Sequence, residues 1–340
     1  MTKSVDLAIV GASGAIGEAM LELLAERDFP MGRLYLLDDE RALGKKLEFR
    51  DRYLPVEAVQ GFDFAKVQVA LFAAGPELAG EYAPKAAAAG AAVIDTSGRF
   101  NGEADVPLVV AEVNSDDLGA WRQRGIVASP TPAVVQLAVV LKPLHDQAGI
   151  ERVNVATYQA VSALGKEAVE ELASQTAGLL NLKEIKPKRF PRQIAFNLIP
   201  QVDEFGDDGY TREEWALHDE TRRLLGEPAL ALSATCVRVP VFYGHGMAVR
   251  IETRDKLSAD AVRKLLKKAP GVDVLDVRKT GGYPTPVTEA ARSDDVFVGR
   301  IREDISHPRG LNFWIVADNV RKGAALNGIQ LAEILIRDYL

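Results

Sequence analysis

Three stretches of this chain carry residues whose types and spacing could do chemistry. The first is Gly11-Ala-Ser-Gly-Ala-Ile-Gly17, set between an apolar strand-like run at 5–10 and a helix-like stretch at 18–27. Strand, G-x-x-G-x-x-G, helix is a dinucleotide-binding arrangement with altered glycine spacing. Gly11 permits a tight turn, Gly14 lets the backbone approach a pyrophosphate, and Gly17 lets the helix lie close to the strand. Ala12, Ser13, Ala15 and Ile16 complete the candidate cofactor loop. The second stretch is Ile126-Val-Ala-Ser-Pro-Thr-Pro-Ala-Val-Val-Gln-Leu137, a strand end, a polar turn and a helix start. Ser129 or Thr131 can cap that helix, and Pro132 suits its first position. Free N–H groups at a helix start stabilise anions and developing oxyanions. The turn is therefore suited to present a reactive group, yet its only candidates are hydroxyls, which are weak nucleophiles unless activated. The third is the single cysteine, Cys236, in an apolar strand-like segment, where a thiol is normally inert. One cysteine excludes an intrachain disulfide, a multi-cysteine zinc site and an iron–sulfur cluster held by this chain alone. No metal site is expected.

The surrounding elements place the first two stretches in an α/β frame. A second strand at 34–37 ends in Asp38-Asp-Glu-Arg41, where such folds read the adenosine ribose. An acid there hydrogen-bonds the ribose hydroxyls of NAD, whereas an arginine favours the extra phosphate of NADP. Asp39 and Arg41 offer both signs, so NAD and NADP both stay open. Strands at 67–72 and 92–94 flank an alanine-rich helix at 80–89. Ala73, Ala74 and Gly75, and then Thr96 to Gly98, follow the carboxyl ends of these strands, where ligands bind in open parallel sheets. Beyond the helix at 133–144 the texture changes. Strands are expected at 153–158, 230–241, 247–253 and 295–303, with 313–317 closing the sheet. Helices at 166–180, 212–225 and 258–269 accompany them, which suggests a mixed or antiparallel sheet covered on one face. A final helix at 323–336 is expected to dock back on the first domain. The fold class is therefore α/β. A Rossmann-type dinucleotide-binding domain (1–127 and 318–340) joins an α+β substrate and dimerisation domain (128–317), with the C-terminal helix returning to the first.

Composition limits the partners. A chain of 340 residues suggests two domains, and 47% hydrophobic with 26% charged residues is ordinary for a soluble globular protein. A net charge of -7 argues against general nucleic-acid binding. No apolar run is long enough to span a bilayer, and the N-terminus lacks a signal peptide's apolar core, so a cytoplasmic protein without membrane partners is expected.

At this level of detail the chain resembles the aspartate-β-semialdehyde dehydrogenase family. The matching segments are the Gly11–Gly17 loop, Glu40-Arg41 with Gly44-Lys-Lys-Leu-Glu-Phe49, and Asp105-Val-Pro-Leu-Val-Val-Ala-Glu-Val-Asn114. Thr157-Tyr-Gln-Ala160, Asn197-Leu-Ile-Pro-Gln201 and Gly209-Tyr-Thr-Arg-Glu-Glu214 follow in the family's order. Cys236-Val-Arg-Val-Pro-Val241 with Gly244-His245, then Asp318-Asn319 with Lys322-Gly-Ala-Ala-Leu-Asn327, complete the set. The resemblance implies NADP-dependent interconversion of aspartyl-β-phosphate and aspartate semialdehyde through a cysteine thioester. It also implies a homodimer formed through the sheet of the second domain.

Roles carried over by the resemblance are specific. His245 matches the acid–base histidine, Gln159 the glutamine that orients the acyl group, Arg238 the substrate-carboxylate arginine and Glu213 a substrate-binding acid. Ala74, Gly75 and Asn319 join the cofactor set. Four positions depart. Pro132 stands where the family has its nucleophilic cysteine, and Cys236 matches a second cysteine of the family, not the nucleophile. Asn101 stands at the phosphate-binding arginine, with Arg99 nearby as a possible substitute, and Ala216 at a substrate lysine. Asp39 stands at a serine of the 2′-phosphate site. The expectation is a divergent family member without its nucleophile, its phosphorylating activity lost or altered. A non-catalytic cofactor-binding or scaffold paralogue, and a different NAD(P)-dependent aldehyde or keto reductase, are the alternatives.

Overall fold

A computed structural model describes residues 4–340. The chain separates into two compact units, one comprising the residues up to Thr131 together with Ala324–Leu340, the other Pro132–Gly323.

The first unit grows from short, wholly apolar strands. β1 (Val5–Val10), β5 (Val69–Phe72), β6 (Ala92–Asp95) and β7 (Ile126–Ala128) are almost entirely buried, as strands covered on both faces must be. With β2 (Met31–Asp38), β3 (Lys46–Phe49) and β4 (Arg52–Ala58) they form a seven-stranded sheet in the order β3-β4-β2-β1-β5-β6-β7. Every pairing is parallel except β3 with β4. Alternation sends Leu7, Ile9, Val69, Leu71 and Ile94 into a core with α1 (Ala15–Glu26) and the C-terminal helix. α2 (Pro76–Ala88) lies against β5, β6 and β7. α3 (Ala111–Asn114) is a single turn before β7.

The β3–β4 hairpin is absent from the sequence-based expectation, and its turn explains why. Arg50 and Asp51 adopt φ values of 46° and 62°, so the tight turn is made without the glycine or asparagine that normally signals it. β3, the edge strand, is only four residues long and alternates charged with apolar side chains, while β4 carries Pro55 in its middle.

In the second unit α4 (Pro132–Ala148) leads to β8 (Ile150–Gln159), α5 (Lys166–Leu180), α6 (Arg212–Leu225), β9 (Ala231–Arg238) and β10 (His245–Thr253). α7 (Ala259–Leu266), β11 (Val272–Val274), β12 (Val296–Glu303) and β13 (Gly310–Ala317) complete it. The sheet order is β11-β12-β13-β10-β8-β9. The sheet is mixed, because β8 with β9 and β11 with β12 are parallel while the other pairs are antiparallel. α4 lies across the sheet with α6 and α7 beside it. Contrary to expectation, β13 does not close the sheet. It pairs with β10 on one side and β12 on the other, so β9 and β11 are the edges.

The last helix also differs from its expected span. Residues Arg321–Leu326 form a wide π-type turn, and regular α8 (Asn327–Asp338) starts after it. Asn327 then fixes α8 within the first unit, donating from Nδ2 to Val109 O (3.0 Å) and Ser129 Oγ (2.8 Å) and accepting the Ala111 N–H (3.0 Å).

Gly11 is the position most tightly constrained by this packing. Its φ is +85°, and a Cβ there would sit 2.7 Å from the Ala74 backbone. Gly11→Ala should lower stability by about 2 kcal/mol or more, left-handed strain plus the overlap. The urea midpoint tests this, and an unchanged midpoint would contradict the close approach.

Candidate active site

Strand topology builds a polar cluster in the second unit. β8 and β9 are parallel and end together, with Gln159 opposite Arg238. β10 is antiparallel to β8 and pairs Met247 with Thr157, so its first residue, His245, starts where β8 ends. Residues two apart along a strand share a face. Gln159, Arg238 and His245 therefore meet at one end of the sheet, although the sequence spreads them over many tens of residues.

α6 supplies the fourth member. Thr211 caps its N-terminus, its hydroxyl accepting the Glu214 N–H (3.3 Å) while Glu214 accepts the Thr211 N–H (2.8 Å). This reciprocal box fixes the first turn, and Glu214 also accepts the Cys236 backbone N–H (2.9 Å), tying the turn to β9. Glu213 is thereby held against β8, where Gln159 Nε2 donates to its Oε1 at 2.8 Å. Arg238, 4% exposed, donates from Nη1 to Ala160 O (2.8 Å).

Electrostatics set the protonation states. Burial raises the Glu213 carboxyl, opposed by the Gln159 hydrogen bond and the Arg238 charge. Burial lowers the Arg238 guanidinium, opposed chiefly by Glu213. His245 is pushed well below its ordinary value of 6.5 by burial and then by Arg238. Its Nδ1 accepts the Ala160 N–H at 3.1 Å, so the neutral ring carries its proton on Nε2. The cluster thus offers a carboxylate-binding guanidinium, an amide, an acid and a neutral imidazole donor, a set able to hold a small polar acyl compound.

No exposed thiol stands within this cluster. Pro132 is the first residue of α4, and the backbone of Gly323 approaches so closely that a Cβ there would lie 2.6 Å from Pro132 Cβ. Cys236 is completely buried, and burial together with Glu213 and Glu214 pushes its thiol far up, away from the reactive thiolate. The Ser129 hydroxyl is buried and engaged by Asn327. Asn101 is buried in the first unit after β6. Arg99 pairs with Glu103 (3.0 Å), so its guanidinium is already directed to a carboxylate. Ala216 lies on α6 one turn beyond Glu213 and brings no charge.

The first unit holds the candidate cofactor loop at a topological switch point. Chain order reverses between β1 and its neighbours β2 and β5, and dinucleotides bind outside the strand ends at such a point. Gly11 to Gly14 turn there beside Ala73, whose N–H donates to Val10 O. Gly17 is required by packing, since a Cβ would come 2.4 Å from Gly11 O. Gly14 caps α1 and Gly75 caps α2 with no side chain of their own, and a Cβ at Gly75 would meet nothing within 4 Å. The loop amides and two helix starts, with this open space, fit a pyrophosphate. Ala12, Ser13, Ala15, Ile16 and Ala74 line the same turns.

Asp38 and Ser162 carry no role in the sequence reading, yet both hydrogen-bond to candidate residues. Asp38 accepts both the Ser13 N–H (3.0 Å) and the Ser13 hydroxyl (2.7 Å), joining the end of β2 to the glycine loop. Asn319, expected with the cofactor set, lies in the second unit, where it accepts the N–H of Gly244, the residue before His245 (3.0 Å), and donates to Ser162 Oγ (3.0 Å). Asp38 was visible only as one of two adjacent acids, and Ser162 carried no signal. Among the described residues no cluster of three His, Cys, Asp or Glu side chains is placed to hold a metal, and no helix is long and apolar enough to cross a membrane.

His245 gives a pH test. A ring whose folded pKa lies below its unfolded value contributes stability fully above about 6.5 and loses it as pH falls through that value. Its NMR resonances should therefore stay those of the Nε2-protonated neutral ring from pH 8 down to 6. A midpoint near 6.5 would contradict the buried, Arg238-facing environment.

Residues 6–121 match the family described as semialdehyde dehydrogenase, NAD binding domain, and residues 141–322 match semialdehyde dehydrogenase, dimerisation domain. The aspartate-semialdehyde dehydrogenase of Legionella pneumophila is 50% identical over 340 residues, covering 100% of this chain and 98% of that protein. The crystal structure of aspartate semialdehyde dehydrogenase II from Vibrio cholerae, complexed with ASA, superposes with a TM-score of 0.97 at 48% identity, covering 99% of this chain and 100% of that one. The structure of a probable aspartate-semialdehyde dehydrogenase from Pseudomonas aeruginosa gives 0.95 at 39% identity, with 99% and 100% covered. With an NAD-binding domain, a dimerisation domain and relatives of this identity along its whole length, the chain belongs to the aspartate-semialdehyde dehydrogenase family.

Proposed function

We propose that this chain is a divergent member of the family that keeps the binding chemistry but not the phosphorylating reaction. The observation that carries this reading is Pro132 at the head of α4, the position of the nucleophilic cysteine in the resemblance. Thioester chemistry needs a thiolate, which is both a good nucleophile and a good leaving group. Proline has neither property, and Cys236 is sealed in an apolar strand beside two acids. Asn101 and Ala216 remove two further cations.

The second domain binds a small amino-acid-derived acyl compound or carboxylate. Arg238 engages its carboxylate, Gln159 orients its acyl group, Glu213 receives a donor, and His245 donates a proton-bearing Nε2. The first domain binds a nicotinamide dinucleotide along Gly11–Ile16, Ala74 and Gly75, whose amides hold the pyrophosphate. Asn319 acts indirectly, because its amide pins the Gly244 backbone beside His245. Two copies pair through the face of the second-domain sheet opposite α4, where Tyr158 and Trp314 lie 5.6 Å apart between ring centroids.

The decisive assay supplies aspartate semialdehyde, phosphate and either NADP or NAD, with the Vibrio cholerae relative as control. Turnover should fall at least ~10⁴-fold below the control, the scale on which losing a covalent nucleophile is felt. Turnover within about tenfold, roughly 1.4 kcal/mol in barrier, would overturn the reading. Pro132→Cys alone should recover less than about one hundredth of control activity, since Asn101 and Ala216 remain. Full recovery would show that proline is the only lesion.

A further inference from the structure

The rim that faces an adenosine ribose in this fold is the end of β2, about twenty residues beyond the last glycine of the loop. Two carboxylates stand there, and their contacts differ. Asp38 uses Oδ2 to accept the Ser13 N–H and hydroxyl, and Oδ1 to accept the Asp39 N–H (2.9 Å). It is thus an inward strut between β2 and the glycine loop. Oδ1 keeps room for one more donor, because an ionised carboxylate oxygen accepts two hydrogen bonds.

Asp39 is engaged within its own turn instead. It caps a short helical turn at Glu40–Ala42, accepting the Arg41 N–H (2.9 Å) on Oδ1. Its Oδ2 accepts Arg41 Nε at 2.9 Å and also Nη2, so the guanidinium closes on it as a fork. The fork holds the Asp39 carboxyl below its ordinary value, the Arg41 hydrogen bond being the largest cause. Arg41 is the cation sequence reasoning left available for a 2′-phosphate, and here it is already neutralising an acid in its own turn. A phosphate placed beside it would have to displace Asp39 and would face both carboxylates at once.

We infer that this chain is built for the dinucleotide with a free ribose diol, NAD, with Asp38 and Asp39 as the specificity-determining pair that excludes the 2′-phosphate of NADP. Asp38 Oδ1 accepts a ribose hydroxyl, and Asp39 repels the phosphate while holding Arg41 away from it. The inference rests on the nucleotide-binding reading of the first domain and is independent of whether the thioester reaction is lost.

Binding to the full-length protein tests it, by isothermal titration with NAD and NADP and by the fluorescence of NADH and NADPH. NAD should bind at least tenfold more tightly, about 1.4 kcal/mol. Asp39→Ser, which removes the carboxylate that holds Arg41, should tighten NADP at least tenfold and so shift the NADP-to-NAD affinity ratio toward NADP by at least that factor. Raising salt should narrow the wild-type gap, because exposed charges are screened. Equal or tighter NADP binding by the wild type would overturn the inference. So would failure of Asp39→Ser to change NADP affinity, or absence of binding by either dinucleotide. These readouts need no turnover, so they fail separately from the assay of the phosphorylating reaction.

Discussion

Burial of charge at the end of the second-domain sheet governs what this protein can do there. Arg238 and Glu213 are drawn out of water together, and each is disfavoured by burial and supported by the other. Buried charges persist only with their hydrogen bonds made. Ala160 O takes the guanidinium, and Gln159 Nε2 donates to the carboxylate. The same field keeps His245 neutral, since an imidazolium would be buried beside a guanidinium. The side chains of the cluster are therefore held in fixed orientations by their own hydrogen bonds.

Neighbouring structure makes the departures from the family tolerable. Proline lacks an N–H, and the first turn of a helix has no intrahelical partner for one. Pro132 thus heads α4 without disturbing it, while the glycine at 323 leaves room for its ring. A fold can lose a nucleophile this way and keep its packing, because reactive positions contribute little to the core. High identity to dehydrogenases along the whole chain and a proline at the head of α4 are compatible for that reason.

Much of the framework was legible beforehand. The β1–loop–α1 unit, the parallel sheet, the helix at the Pro132 turn and the return of the last helix follow from apolar runs and glycine spacing, which are local signals. Gln159, Glu213, Arg238 and His245 stand out only through the family resemblance, and the structure brings all four to one sheet end. The β3–β4 hairpin was not legible, because Arg50 and Asp51 make its turn without a glycine or asparagine. The internal place of β13 was missed because strand order depends on pairings between distant segments. Asp38 was seen only as part of an acidic pair, since which acid faces the loop depends on backbone direction at the end of β2.

By itself the sequence determined which side chains exist to react: one cysteine, in an apolar strand, and a proline where a nucleophile is expected. It also determined the periods that make strands and helices, because those depend on near neighbours. Only the tertiary structure decided the protonated atom of His245, through an N–H donated from the end of β8. It alone decided that Arg41 closes on Asp39 and that Asp38 closes on Ser13. Hydrogen-bond partners and local dielectric are properties of assembled surfaces, and no residue carries them alone.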